Sequence, residues 1–377
     1  MGASAPYLIV VIFIRNFCCT MLIMNKDSRF QNYKLLEKDF NIEYDKPLVQ
    51  YTTWKLGGNA EAFVKIKTSK EFIDLFTLIY KLNLDYFILG GGSNILISDN
   101  GVKKLVVKNE VSDIQFQEEV KVNFEYTNDK IKVLRSEDHW KKGFLSFSDL
   151  DYDDYSDLKT RVVISSGTIL QKAINTSLDH KLSGLQWFSG IPGTIGGAIY
   201  NNIHGGSKHF SENVEWVDIL LKGKIERLSI NELKFGYDYS ILHEEKFPVL
   251  SVGLLLNHFD PEKAKQTAIE WTKRKTVQPR NSCGSVFKNL TKEQAEIAGL
   301  ENLSVGFLID TVLMMKGYKY KGVQVFENHA NFIVNNGEGK SQDVFELVKL
   351  IKDRAKNEVG VVLDEEFIYI GFEDAQN

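Results

Sequence analysis

The stretch that decides the fold lies between Gly190 and Gly197 and follows two aromatic residues, Trp187 and Phe188. It reads Gly190-Ile191-Pro192-Gly193-Thr194-Ile195-Gly196-Gly197. Glycine turns leave backbone N–H groups exposed, and a concave array of such groups binds phosphate oxygens without a lysine side chain. The stretch therefore predicts an anion-binding loop, with an ordinary tight turn as the structural alternative.

Two further glycine clusters strengthen this interpretation. They are Gly90-Gly91-Gly92-Ser93-Asn94, which follows a strand predicted over 84–89, and Leu56-Gly57-Gly58-Asn59. Two such loops in one domain fit a pyrophosphate held between them, as a dinucleotide requires. Neither a P-loop nor the G-x-G-x-x-G fingerprint is present, so the common dinucleotide fold is not indicated.

The composition excludes several classes of protein. The chain has 377 residues, enough for two or three domains at about 150 residues each. Lys and Arg number 46 against 50 Asp and Glu, a net charge of −4, which lacks the positive excess typical of nucleic-acid-binding proteins. Its three cysteines form neither a disulfide framework nor a zinc pattern, which is typical of a reducing compartment. We expect a cytoplasmic protein with no nucleic-acid partner and no metal.

The first 25 residues are apolar but interrupted. Arg15 and Asn16 divide the apolar run, which disfavours a membrane span, and no Lys or Arg precedes Arg15 as a signal peptide requires. We expect residues 1–25 to be a non-native or disordered extension, with Met21 or Met24 as the initiator. A membrane anchor and a floppy tail are the alternatives, and no stable membrane insertion is expected.

Hydrophobic periodicity predicts helices and strands that do not alternate regularly, which is typical of the α+β class. The predicted helices are Ser69–Tyr80, Thr168–Leu182, Pro261–Lys275 and Ser341–Glu358. A composition break near residue 260 is the best domain boundary. The acidic stretch within 126–160 does not fit a calcium loop, because Asp154 stands where the loop needs glycine and Thr160 where it needs glutamate.

One candidate site lies in the segment Gln278–Asn289. There Ser285, Lys288 and Asn289 place a hydroxyl, a cation and an amide in one short stretch. No G-x-S-x-G motif surrounds Ser285, which disfavours a hydrolase nucleophile. An ordinary surface loop is the alternative.

A second candidate site lies in residues 363–371. A strand is predicted over 361–371, and on it Asp364 and Glu366 share one face while Glu365 points the other way. Solvated acidic residues before a terminal strand are the structural alternative. His329 is a candidate base, with a hydrogen-bonded structural histidine as the simpler interpretation.

In this order, the motifs resemble the UDP-N-acetylenolpyruvoylglucosamine reductase family, flavoenzymes of peptidoglycan precursor synthesis. The resemblance extends from about Gln50 to Gly371. Besides the stretches quoted above, the matching segments are Thr52–Gly58, Phe235-Gly236-Tyr237, Gln278-Pro279, Cys283–Asn289, Gly322–Val325 and His329–Phe332.

The resemblance implies a two-subdomain FAD-binding domain of the PCMH type, followed by a smaller α+β substrate-binding domain. We accordingly expect the first subdomain at 26–103, the second at 104–260 with an acidic insertion at 126–160, and the C-terminal domain at 262–377. The implied cofactors are non-covalent FAD and NADPH as the hydride donor. The implied FAD-binding residues are Gly90, Gly91, Gly92, Ser93, Asn94, Gly190, Ile191, Pro192, Gly193, Thr194, Gly196 and Gly197.

The resemblance also implies the reaction, the reduction of UDP-N-acetylglucosamine enolpyruvate to UDP-N-acetylmuramate. Hydride reaches the methylene carbon of the enolpyruvyl group, Ser285 matches the proton donor to C2, and Glu366 matches the acid beside the developing charge. Lys288 and Asn289 are expected to hold phosphate or carboxylate oxygens. The expected partner is therefore a small-molecule UDP-sugar, and the enzyme is expected to be a monomer.

One residue departs from the family pattern. After Phe-Gly-Tyr the family carries an arginine that stabilises the substrate carboxylate, whereas this chain has Asp238. A desolvated aspartate repels a carboxylate, so we expect Lys275, Lys288 or Arg274 to supply the positive charge while Asp238 turns away to orient it. The short link at 254–271 predicts the subclass that lacks a substrate-covering tyrosine loop.

Two other functions remain open from the sequence. A related FAD-dependent oxidase or dehydrogenase would share the cofactor domain, although no histidine that could attach flavin lies between Gly57 and Asp99. A non-catalytic FAD- or UDP-sugar-binding homologue is supported by Asp238 alone, and the presence of both Ser285 and Glu366 argues against it. His204 is a candidate contact to flavin or substrate, with a structural role as its alternative.

Overall fold

A computed structural model of the chain describes residues 26–122 and 152–372. The expected N-terminal extension, 1–25, and residues 126–151 of the acidic insertion lie outside the described residues. The helices are α1 (Lys26–Leu36), α2 (Ser69–Lys81), α3 (Leu170–Asp179), α4 (Ile195–Asn201), α5 (Leu242–Glu245), α6 (Pro261–Lys275), α7 (Lys292–Ile297), α8 (Val305–Phe307) and α9 (Ser341–Val359).

The strands form two larger sheets and several short pairings. They are β1 (Glu43–Pro47), β2 (Asn59–Ile66), β3 (Tyr86–Leu89), β4 (Ile95–Ile97), β5 (Val102–Asn109), β6 (Ile114–Lys121), β7 (Leu158–Ser165), β8 (Leu182–Ser183), β9 (His204–Gly205), β10 (Lys208–His209), β11 (Val214–Leu221), β12 (Lys224–Ser229), β13 (Val249–His258), β14 (Lys319–Tyr320), β15 (Val323–Val325), β16 (Ile333–Asn335) and β17 (Ile368–Ile370). Mixed helices and strands without regular alternation confirm the α+β class.

The first sheet has the strand order β1-β2-β5-β3 and is covered by α2. The pairing of β2 with β1 is antiparallel, whereas β5 runs parallel to both β2 and β3. The apolar face predicted for α2 is buried in this core through Phe72, Leu75, Phe76 and Ile79. This arrangement places the glycine loop after β3 at the carboxyl end of a parallel strand, where open sheets bind ligands.

The second sheet is antiparallel with the order β12-β11-β13-β7-β6. Its core includes α3 and α4, and also α6 through Ala264, Ala268 and Trp271. The start of α6 follows from local sequence, because Asp260 accepts hydrogen bonds from two N–H groups of the first turn and Pro261 occupies the first position.

The C-terminal region combines α7–α9 with the small sheet β14-β15-β16. Its core also takes in Trp54 and Leu96 from the first subdomain. The indole N–H of Trp54 donates to the carbonyl of Ile333 at 2.9 Å, and the last strand, β17, pairs in parallel with β4. The end of the chain therefore returns to the first subdomain.

This packing bears on the expected domain boundaries. The first sheet continues to Asn109, past the boundary expected at 103, and α6 packs with the second subdomain although it was placed in the C-terminal domain. The domain boundaries themselves stay a prediction. Within residues 26–122 and 152–372, none of the helices combines the length and apolar character needed to cross a membrane.

Candidate active site

The two predicted cofactor loops lie against each other. An ideal Cβ on Gly91 would lie 2.6 Å from the Cα of Gly193, closer than real Cβ contacts allow. The hydroxyl of Ser93 donates to the carbonyl of Pro192 at 2.9 Å. The loops therefore form one surface, and a side chain at Gly91 would force them apart.

This surface fits an anionic group. In the described part of the chain, no hydrogen bond uses the backbone N–H of Gly91, Gly92, Ser93 or Gly193. The φ of Gly92 is +65°, and an ideal Cβ there would lie 1.9 Å from the carbonyl oxygen of Tyr51, so glycine is required. Unpaired N–H groups on two touching loops are suited to the diphosphate of a dinucleotide such as FAD.

A cavity of about 2600 Å³ opens in front of both loops. Typical small-molecule sites measure about 300–1000 Å³, so the space suits two large ligands side by side. All the residues expected to bind cofactor line it, and so do Ser285, Asn289, Glu366, His204, Tyr237, Asp238, Lys275 and His329. Lys288 is not among the lining residues.

Ser285 and Glu366 lie in two backbone segments that run side by side. The N–H of Glu366 donates to the carbonyl of Val286 at 2.9 Å, and Phe287 forms an antiparallel bridge with Glu365. Residues 361–367 are strand-like at this bridge alone, so the predicted terminal strand is shorter than expected. The bridge brings a hydroxyl and a carboxyl to one wall of the cavity.

The neighbouring carboxylates point elsewhere. The Glu365 carboxylate pairs with the ammonium of Lys352 on α9 at 2.8 Å, and Asp364 is exposed. The partly buried Glu366 is therefore the carboxyl of this segment that lines the cavity.

Asn331 fixes the loop that carries Ser285, and sequence reasoning missed this role. Its side-chain oxygen accepts from the N–H of Phe287 at 3.0 Å, its amide donates to the carbonyl of Phe287 at 2.9 Å, and its own carbonyl accepts from Val286 at 2.8 Å. The hydroxyl of Ser285 has no hydrogen-bond partner among the described residues. The signal available in the sequence was an asparagine flanked by apolar residues, with Ala330 before it and Phe332 after it.

Burial and a neighbouring charge set the ionisation of Glu366. Burial raises the pKa of Glu366 well above its usual range, and the negative charge of Asp238 raises it further, against the opposing charges of Lys275 and Lys288. Burial also raises the pKa of Asp238 to about 7, opposed by Lys288. Because the two carboxyls disfavour each other's ionised form, the pair retains a proton near neutral pH.

Asp238 lies in a tight turn in which Gly236 donates to the carbonyl of Tyr239 at 3.0 Å. Its φ is +48°, a conformation that aspartate tolerates better than most residues. One carboxyl oxygen lies 3.5 Å from Nε2 of His204, and the other is buried without a hydrogen-bond partner among the described residues. Burial, followed by the charges of His209 and Lys275, lowers the pKa of His204 to about 3, so this contact is not an ion pair at neutral pH.

The cation expected to be oriented by Asp238 is not bound to it. Within 26–122 and 152–372, Asp238 forms no ion pair with Lys275 or Lys288, and Arg274 pairs with Glu270 at 3.0 Å. Lys275, at the end of α6, lies under the second cofactor loop: an ideal Cβ on Gly190 would come within 2.9 Å of its Cβ. Burial lowers the pKa of Lys275, and Glu366 opposes this shift.

Comparison with known proteins agrees with this geometry. The family model for the C-terminal domain of UDP-N-acetylenolpyruvoylglucosamine reductase matches residues 276–370. The reductase of that name from Caldanaerobacter subterraneus subsp. tengcongensis is 30% identical over 342 residues, 90% of this chain and 96% of that protein. The one from Clostridioides difficile is 29% identical over 353 residues, 92% of this chain and 99% of that protein.

A solved structure shows the same fold. The UDP-N-acetylenolpyruvylglucosamine reductase from Thermus caldophilus superposes with a TM-score of 0.63 at 24% identity, covering 88% of this chain and 98% of that one. This agreement over nearly the whole fold confirms the expected fold class, in which two α+β subdomains are followed by a smaller α+β domain. The chain belongs to the UDP-N-acetylenolpyruvoylglucosamine reductase family.

Proposed function

We propose that this chain, as a cytoplasmic monomer, reduces UDP-N-acetylglucosamine enolpyruvate to UDP-N-acetylmuramate with NADPH, a step of peptidoglycan precursor synthesis. The observation that carries the proposal is the bridge between the Ser285 and Glu366 segments. It puts an unengaged hydroxyl and a carboxyl of raised pKa on the cavity that the two glycine loops line. Bound FAD supplies the hydride for this reduction.

The chain's first task is to hold the cofactor. The unpaired N–H groups of Gly91, Gly92, Ser93 and Gly193 are the groups that would bind its diphosphate. The remaining loop residues shape the cavity wall, since a glycine at each close approach lets the backbones meet.

The second task is to deliver a proton to C2 of the enolpyruvyl group while hydride is added to its methylene carbon. Ser285 is assigned this proton, because its hydroxyl is free and faces the cavity. A serine hydroxyl is a weak acid, so it needs a neighbour that stabilises the charge developing on the substrate. Glu366, held in its protonated form, would donate a hydrogen bond to that charge.

The third task is to hold the negative groups of the substrate. Lys275 lines the cavity and its ammonium has no hydrogen bond or ion pair among the described residues, so it is the cation assigned to the substrate carboxylate in place of the family arginine. Lys288 acts at longer range on Asp238 and Glu366. The side chain of Asn289 hydrogen-bonds to Tyr237 and retains capacity for a phosphate oxygen.

An anaerobic absorbance experiment tests the proposal. The flavin of the purified protein is bleached with NADPH, and UDP-N-acetylglucosamine enolpyruvate is then added. Prompt return of the oxidised spectrum, with formation of UDP-N-acetylmuramate, is the expected result. A flavin that stays bleached would point to another electron acceptor, and a protein that binds no flavin would be a binding homologue instead.

A further inference from the structure

Asn94 ends the first glycine loop, and its side chain contacts the segment that carries Glu366. Its amide donates to the carbonyl of Glu366 at 3.1 Å. Its own carbonyl accepts from the N–H of Ile368 at 3.0 Å. The two bonds span Phe367 and continue the parallel pairing in which Ile95 lies opposite Ile368. The loop therefore holds the acid's segment with both a side-chain and a main-chain bond.

The other side of the Glu366 main chain is also fixed. Its N–H donates to Val286 on the Ser285 loop at 2.9 Å. The next side chain, Phe367, is 4% exposed and packs edge to face on Trp54, with ring centroids 5.1 Å apart. Glu366 is thus tied to the proton-donor loop by its N–H and to the cofactor loop by its carbonyl.

We infer that Asn94 is a positioning residue that holds the Glu366 carboxyl at a fixed place relative to the cofactor loop. The inference rests on the proposed function, in which Glu366 stabilises charge on the substrate. The first glycine loop then has two contacts with separate roles. The hydroxyl of Ser93 bonds to the carbonyl of Pro192 in the second cofactor loop, whereas the amide of Asn94 bonds to the carbonyl of Glu366.

An amide at this position matches what the Glu366 carbonyl needs, which is a hydrogen-bond donor. Aspartate has the same shape but would put a carboxylate oxygen against that carbonyl, and alanine would leave the carbonyl without its donor. Either change frees the Glu366 segment to shift. Misplacement of a reacting group by about 1 Å costs up to about a hundredfold in rate.

The test measures three quantities for Asn94→Asp and Asn94→Ala. They are the affinity of the apo-protein for FAD, the rate of flavin reduction by NADPH, and the rate of reoxidation by UDP-N-acetylglucosamine enolpyruvate. We expect reoxidation to slow about ten- to a hundredfold. We expect FAD affinity and NADPH reduction to fall by clearly less than reoxidation, because the side chain of Asn94 bonds to the carbonyl of Glu366 and neither quantity needs Glu366. The aspartate variant keeps the experiment informative if the alanine variant folds poorly.

Two control variants separate this role from general damage. Glu365→Gln makes the matched change one residue earlier, on a carboxylate that pairs with Lys352, and should leave all three quantities unchanged. Ser93→Ala breaks the loop's other contact and should weaken FAD affinity instead of slowing reoxidation selectively.

A double-mutant cycle gives the sharpest distinction. If Asn94 acts through Glu366, then Asn94→Ala adds no further slowing to reoxidation in a Glu366→Gln protein. Additive slowing in the cycle overturns the inference, and so does a parallel fall in FAD affinity and both half-reactions, which would make Asn94 a cofactor-binding residue. Reoxidation at the wild-type rate in both Asn94 variants overturns the inference but leaves the proposed function intact. A wild-type protein that the substrate cannot reoxidise overturns the proposed function, and the inference with it.

Discussion

The two sides of the cavity are built by different means. The cofactor side consists of backbone from two loops, each continuous in sequence, whose glycines let the loops touch. The substrate side consists of side chains, above all Asp238, Ser285 and Glu366, which come from three distant segments. We therefore expect cofactor binding to depend on how closely the backbones of the two loops approach, and the substrate chemistry to depend on the ionisation and placement of these side chains. Mutations in the glycine loops should therefore change FAD affinity, whereas mutations on the substrate side should change the rate of flavin reoxidation.

The largest effect is expected from Gly92→Ala. A Cβ there would lie 1.9 Å from the carbonyl oxygen of Tyr51, so the loop must move and its N–H array is lost. We expect the Kd for FAD to rise at least about a thousandfold, which corresponds to about 4.1 kcal/mol. Equilibrium titration of the apo-protein with FAD measures this.

Gly299→Ala is the matched control for that variant. The φ of Gly299 is +67° against +65° for Gly92, but an ideal Cβ at Gly299 has no heavy atom within 4 Å. It therefore imposes the same backbone strain, about 1 kcal/mol, without a clash, and FAD affinity should be retained. Equal loss of FAD in both variants would show that strain, and not close approach, controls cofactor binding.

The next largest effect is expected from Ser285→Ala on the substrate side. Removal of a general acid should slow flavin reoxidation by the enolpyruvyl substrate about a thousandfold, while NADPH reduction stays unchanged. Stopped-flow absorbance resolves the two half-reactions. In the control, Ser282→Ala removes a hydroxyl that donates to Pro279 at 2.9 Å, which should cost about 1 kcal/mol of stability and leave reoxidation fast. A Ser285→Ala protein reoxidised at the normal rate would require another proton donor.

The same contrast explains what the sequence could predict. The glycine loops could be predicted as an anion-binding surface because each is one continuous segment of backbone, and the structure brings the two together; their binding of the cofactor stays a prediction. The bounds of α6, Pro261–Lys275, were also predicted without error, because Asp260 and Pro261 determine its start locally. Local signals of this kind need no knowledge of the fold.

The substrate side shows what could not be predicted. A terminal strand was expected over 361–371, but regular pairing is limited to Ile368–Ile370, because the preceding residues bridge to a loop near Phe287. The bond from Asn94 to Glu366 joins residues 272 positions apart. The lack of an ion pair between Asp238 and either lysine, within the part of the chain that the structure describes, likewise depends on burial and on a tight turn. Such contacts appear once the chain has folded.

A smaller effect is expected from Asp238→Arg, which restores the family residue. Lys275 already lines the cavity and Lys288 acts on the charge at position 238, so an arginine there would be repelled by two like charges. The substitution also removes the negative charge of Asp238, which favours the protonated form of Glu366. We expect kcat/KM to be unchanged or up to about tenfold lower, which corresponds to about 1.4 kcal/mol. A large gain in kcat/KM would contradict the assignment of Lys275 to the substrate carboxylate.

The smallest effect is a pH dependence of stability in Asp238→Asn. The pKa of Asp238 is about 7 in the folded chain, against about 3.9 in an unfolded one, so the folded state binds the extra proton between these values. The contribution of this carboxyl to the stability of the wild-type protein therefore falls as pH rises from about 4 to about 7 and then levels off. Asparagine cannot ionise, so the Tm of Asp238→Asn relative to wild type should rise between pH 4 and pH 8.

Thermal unfolding at the two pH values measures this difference, with the exposed Asp364→Asn as the control that removes a charge without changing burial. The control should show the same Tm difference from wild type at both values. A pH-independent Tm difference for Asp238→Asn would mean that the buried carboxyl acts through packing. The substrate side would then depend on the placement of its side chains and not on their ionisation. The remaining contrast would be that the substrate side consists of side chains and the cofactor side of backbone.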